Sequence, residues 1–222
     1  RPAGAVAPGE IISLLGQNLG PFVAGGPVIN TGLRLATEVE HSQVLFDGVP
    51  GAILYSGPGQ INVVVPETVQ GKDSVTIQAT YYGLPSARHF VQVTPFSPGI
   101  FGYPAQGKMY AAALNAEGVV QGPGAPLRRG TRVALYATGL GLPGGEVADA
   151  IADRAKEVGL RPSITIGGRQ AEVSYAGFSP GLTTGLTQLN ITIPPNAPVG
   201  SAVEVVISLG GHTQGNVWVA VQ

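Results

Sequence analysis

The chain has 222 residues and a formal net charge of −1, with 34 Gly, 19 Pro, no Cys and 11% charged residues. Without cysteine there is no disulfide framework, thiolate nucleophile or Cys-based metal site. Lys and Arg are too sparse, with Arg128-Arg129 the one adjacent basic pair, to grip nucleic-acid phosphates. With 44% apolar residues the chain is too hydrophobic for a disordered Gly/Pro polymer, and fits many short strands joined by turns.

In chain order, the first element is "GEIISLLGQNLG" (9–20), a β-favouring run closed by an Asn-Leu-Gly turn. It returns at 130–141 as "GTRVALYATGLG". The segments that follow return in the same order. "VLFDGVPGAILYS" (44–56) matches "ITIGGRQAEVSYA" (164–176), and "QINVVVP" (60–66) matches "QLNITIP" (188–194). "GKDSVTIQAT" (71–80) matches "GSAVEVVISL" (200–209), and "RHFVQV" (88–93) matches "NVWVAV" (216–221). Such an ordered recurrence marks a duplication of one β unit. By the two-residue period, Ile61, Val63 and Val65 share one face, as do Leu189, Ile191 and Ile193. Each run ends on a Pro that cannot donate to a ladder. Gly48 and Gly167-Gly168 mark hairpin turns.

These signals predict an all-β chain of two tandem immunoglobulin-like β-sandwich domains, 1–95 and 96–222. The Pro- and Gly-rich "VTPFSPGIFGYP" joins them. The second unit carries insertions at about 142–162 and 177–187. The stretch 146–158 has helical composition and is the one short helix expected. No apolar run approaches the length of a membrane span, and none is expected to insert in a bilayer. The first residue is Arg, which reads as a mature product or an excised piece of a longer protein.

The motifs "GEIISLLGQNLG", "VLFDGVPGAILYS", "GQINVVVP" and "GKDSVTIQAT" resemble the IPT/TIG group of immunoglobulin-like domains. The whole chain is similar to the C-terminal region of large secreted acidobacterial proteins of the Solibacter type, through "SPGIF", "AAALNAEG", "LYATGLG" and "YAGFSPGL". The resemblance implies an extracellular or cell-surface setting and no particular activity.

Catalysis finds little support. His41, His89 and His212 lie in different blocks, and Glu67, Asp47 and Asp73 form no recognisable carboxylate pair. No nucleophile elbow, phosphate loop or metal motif occurs, so no enzyme activity and no cofactor or metal is expected. The candidate ligand or interface residues are Phe90 and Trp218, matched aromatics out of phase with the core valines of their strands. An outward aromatic stacks on a sugar ring or buries in an interface. Gln60 with Asn62 and Gln188 with Asn190 form a second matched set, read either as a hydrogen-bonding platform or as internal braces. Tyr81-Tyr82, Tyr103 and Phe178 are weaker aromatic candidates, and the sequon at Asn190 lies inside a strand.

One asymmetry remains. "KMYAAALNAEGVVQGPGAPLRR" precedes Gly130, whereas only "RPAGAVAP" precedes Gly9. If "MYAAALNA" is the first strand of the second unit, the first unit lacks its counterpart and exposes an unpaired edge. Each buried unsatisfied group on it costs about 1–3 kcal/mol. The strand was removed, is dispensable, or comes from another molecule. The resulting expectation is a non-catalytic structural or adhesion module that self-assembles into fibres through sheet edges, or binds upstream domains of its own polypeptide. A carbohydrate-binding module for surface glycans is the alternative.

Overall fold

The computed structural model describes residues 4–144 and 146–222, and Arg1, on which the reading of the N-terminus turns, lies outside them. Almost all regular structure is β-strand. The sheets up to Val93 close one sandwich, and those from Gly99 onward close another.

In the first sandwich, one sheet runs Ala5–Val6, His89–Val93, Ser74–Tyr81, Ser42–Phe46 and Val49–Pro50, in spatial order. The facing sheet is Ile11–Leu15, Gln60–Val64 and Ala52–Ser56. Alternation puts Phe46, Ile53, Ile61, Val63 and Val75 between them, all buried. The second sandwich repeats this plan. Arg132–Thr138, Thr187–Thr192 and Glu172–Phe178 stand for the three-stranded sheet, and His212–Val221, Gly200–Leu209 and Ser163–Ile166 stand opposite.

The repeat holds to the level of backbone irregularity. Val63 pairs with Ile12 and Ile61 with Leu14; Ile191 pairs with Val133 and Leu189 with Leu135. A β-bulge falls between Ile53 and Tyr55, and again between Val173 and Tyr175. Gly9 donates its N–H to the Val65 carbonyl, as Gly130 does to that of Ile193. One match is a residue out of register: Phe90 opposes Thr76 and Trp218 opposes Glu204, so Val75 corresponds to Val203. The first unit has one more residue between Gly71 and Val75 than the second has between Gly200 and Val203.

The helix expected over 146–158 does not form. The segment is turns and isolated bridges, ending in the strand Lys156–Glu157. Helical composition loses here to tertiary hydrogen bonds. Ile151 donates its N–H to the Leu33 carbonyl, Ala152 to that of Leu182 and Val158 to that of Ala176. A propensity difference of a few tenths of a kcal/mol per residue does not outweigh a set of such bonds.

The same insertion clamps the two units together. Ala148, Ile151 and Leu142 pack with Leu35, Ala52 and Val64 of the first unit in a buried cluster. The Ala148 N–H bonds the Glu67 carboxylate at 3.0 Å. Asp149 pairs with Arg34, and its carbonyl accepts the Leu35 N–H at 2.7 Å.

Candidate functional site

The first unit has an open strand position, visible only by comparison with its duplicate. In the second unit the chain from Lys108 to Asn115 changes sheets. Lys108–Ala111 lies parallel to His212–Val221, bridging Tyr110 to Trp218. Ala113–Asn115 then lies antiparallel to Arg132–Thr138, pairing Leu114 with Ala134. Further on, Leu127 bridges Val221, and this single bridge is what Ala5–Val6 reproduces on Val93. Among the described residues, nothing in the first unit takes the place of Lys108–Asn115.

The consequence shows in the core. Val133, Leu135, Val219 and Val221 are buried, in one cluster with Ala111 and Ala113. Their counterparts Ile12, Leu14, Val91 and Val93 are only partly buried. The edge is polar as well as open. Thr138 of the second unit accepts the N–H of Ile11 at 2.7 Å, so that N–H points away from Gln60–Val64. By period two, Ser13 and Leu15 offer their backbone groups along the same edge. In the duplicate, Leu114 pairs Ala134, and the Tyr136 carbonyl accepts the Phe101 N–H at 2.8 Å.

The matched aromatics diverge for the same reason. Phe90 is 81% exposed. Trp218 is half-covered, with the Lys108 ammonium 4.5 Å from its ring centroid, and Lys108 belongs to the strand that the first unit does not have.

The Gln/Asn pairs are braced internally. The Gln60 amide donates to Asn62 Oδ1 at 2.7 Å, and that of Gln188 to Asn190 Oδ1 at 2.8 Å. Ser13 adds its hydroxyl to Asn62 Oδ1 at 2.8 Å. Ser13, Leu15, Gln60 and Asn62 thus occupy the outer face of the small sheet, beyond the part the insertion covers.

The remaining aromatics do not join this site. Phe178 is buried, and the outward position expected of it is corrected: its strand is not an edge, because Lys156–Glu157 of the insertion pairs with it. Tyr103 donates its hydroxyl to the Gln121 carbonyl, and Tyr82 stacks on His41 with ring centroids 4.3 Å apart. An open cleft of about 620 Å³ lies at the junction of the units, bounded by Pro8, Val93, Phe96, Leu140, Leu142 and Leu160. Lys72 and Asp73 are the charged residues on its wall.

Sequence reasoning raised a missing strand as an expectation and did not name Ile12 and Leu14 along that edge. The signal was present, because matching "IISLLGQNLG" to "RVALYATGLG" places Ile12 on Val133 and Leu14 on Leu135. It also passed over Glu10, a fully buried carboxylate beside the junction. Glu10 accepts the Ala7 N–H at 2.9 Å and the Ser97 hydroxyl at 3.1 Å.

No protein-family model and no curated protein matches the chain. Among solved structures it is similar to the tandem immunoglobulin repeats of Dlar, at 10% identity, over 99% of this chain and 93% of that one, with a TM-score of 0.20. The strand pairings described above are what make this chain an all-β, immunoglobulin-like tandem.

Proposed function

We propose that the chain is a non-catalytic structural or adhesion module of a secreted, cell-surface protein, holding two β-sandwiches in one fixed relation. The supporting observation is the clamp. The insertion of the second unit packs Ala148 and Ile151 against Leu35 and Val64, and the Thr138 hydroxyl takes the Ile11 N–H. A flexible string of domains would not bury apolar and polar contacts together at its junction. Its partners are other polypeptides, met through open sheet edges. Growth into fibres is the narrower form, in which copies of the chain meet each other.

A carbohydrate-binding module is the second reading, favoured by the exposed ring of Phe90 on the outer face of its sheet. Titration with a panel of surface polysaccharides, with light scattering on the same samples, separates the two. The structural reading expects no saturable binding and a particle whose small-angle scattering fits one fixed arrangement of the units. Saturable polysaccharide binding abolished by Phe90→Ala would replace it with the carbohydrate reading.

A further inference from the structure

We propose that the cleft at the junction of the units is a binding site for a small organic cation, an ammonium group carried on an apolar body.

The walls of the cleft are fixed. One is the turn 70–73 with the strand end at Val93, whose N–H donates to the Asp73 carbonyl at 2.9 Å. The other is formed by Phe96, Leu140, Leu142 and Leu160. There the Ser97 N–H donates to the Gly139 carbonyl at 2.9 Å, and the Val158 N–H to that of Ala176 at 3.0 Å. The clamp holds the two walls relative to each other. A cleft of about 620 Å³ between two domains has the size and place of a small-molecule site.

The lining sets the chemistry of the occupant. Its aliphatic and aromatic surface calls for an apolar body. Charge selects the head group. The Lys72 ammonium lies 2.8 Å from the Asp47 carboxylate. Arg161, beside Leu160 in the chain, pairs with Glu157 and donates to the Val173 carbonyl. Among the described residues, the Asp73 carboxylate has no such partner. The cations here are taken up and one carboxylate is left, so an ammonium is favoured over a carboxylate or phosphate. An extended peptide is a poor fit, because Pro8 and Pro95 have no N–H to offer and that of Val93 is already bonded. A ligand seated against both walls favours the clamped arrangement and stiffens the junction.

The site uses neither the open sheet edges nor the Phe90 ring, so its test is separate from the polysaccharide titration. Phenylbutylammonium, phenylbutanol and phenylbutyrate share one apolar body and differ in charge. Each is titrated into the intact isotope-labelled chain, and the amide chemical shifts are followed. The ammonium is expected to saturate, with shifts at 71–73, Phe96, Leu142 and Leu160, and to bind about tenfold or more tightly than the butyrate. It also raises the thermal midpoint. Asp73→Asn keeps the carbonyl bond to Val93 and brings the ammonium down to the affinity of the alcohol. Gly159→Phe, whose Cβ meets nothing within 4 Å, puts a ring on the cleft wall and weakens all three probes. The comparison of the three probes on the unaltered chain decides the matter even if a variant fails to fold. The proposal is overturned if the ammonium does not saturate, if the butyrate binds as tightly, or if the shifts are confined to other segments. An Asp73→Asn chain that still prefers the ammonium overturns it as well.

Discussion

The hydroxyl of Thr138 accepts the backbone N–H of Ile11 at 2.7 Å and donates to the Gly185 carbonyl at 2.8 Å. One buried side chain thus satisfies an edge donor of the first unit and a loop acceptor of the second. Thr138→Val keeps the shape and removes both bonds. It is expected to lower stability by about 1–3 kcal/mol, read by urea denaturation, and to broaden the inter-unit distances seen by small-angle scattering. Thr138→Ser restores most of the loss. An unchanged scattering profile in Thr138→Val would show that the apolar cluster alone fixes the junction.

The adjacent residue tests how far the duplicates have diverged. Asn18 and Gly139 hold corresponding turn positions, at φ 55 and 72. A Cβ at Gly139 would collide with the Ser97 carbonyl oxygen, where the connecting segment crosses. Gly139→Asn, which installs the counterpart's residue, is expected to shift the thermal midpoint down by several degrees. Asn18→Gly is expected to cost only a few tenths of a kcal/mol, through a more flexible unfolded chain. Equal effects from the two changes would contradict the assigned clash.

Glu10 is fully buried and ties Ala7 to Ser97. Glu10→Leu leaves the Ala7 N–H and the Ser97 hydroxyl without this acceptor. A loss of about 1–3 kcal/mol is expected, while Glu10→Gln, which keeps an acceptor oxygen, loses less. Equilibrium denaturation of the three proteins checks the order.

Equivalent core positions should respond unequally. Leu135 is fully buried and Leu14 only partly so. Leu135→Ala is expected to cost about 2–5 kcal/mol, and Leu14→Ala less than about 2 kcal/mol. Matching losses would mean that the first unit is as closed as the second.

Much of this was readable beforehand, for a physical reason. Alternation in "QINVVVP" and "QLNITIP" names the core face, because a sheet buried on one side admits no other register. Matching of the two halves then set the strands of one unit against those of the other. The fate of 146–158 was not readable, since its hydrogen-bond partners, Leu33, Leu182 and Ala176, come from three distant segments. Phe178 was misplaced because the strand that pairs with its own, Lys156–Glu157, lies in that same insertion. The roles of Thr138 and Glu10 were hidden for a similar reason, as each exists only across the junction.

The turn at Asp47-Gly48 contributes a pH dependence to the first unit. The Lys72 ammonium 2.8 Å from the Asp47 carboxylate, with the Thr76 N–H as a second donor, holds its pKa below the ordinary aspartate value. A depressed folded value stabilises above the unfolded one, and the contribution is lost as pH falls below about 4. Asp47→Asn keeps the turn preference and an acceptor. It is expected to flatten the stability profile below about pH 4 and to lower stability slightly at neutral pH, where the carboxylate's contribution is present, read by denaturation across pH 2–7.

The clamp has a mechanical consequence. The segment joining the units has no slack, because the Ser97 N–H is held by the Gly139 carbonyl and Thr94 bonds back to Phe96. Tension applied along the chain therefore reaches the Ile11–Thr138 contact and the Ala148 cluster as shear, before either sandwich is peeled open. An insertion in one duplicate has turned two beads into a strut.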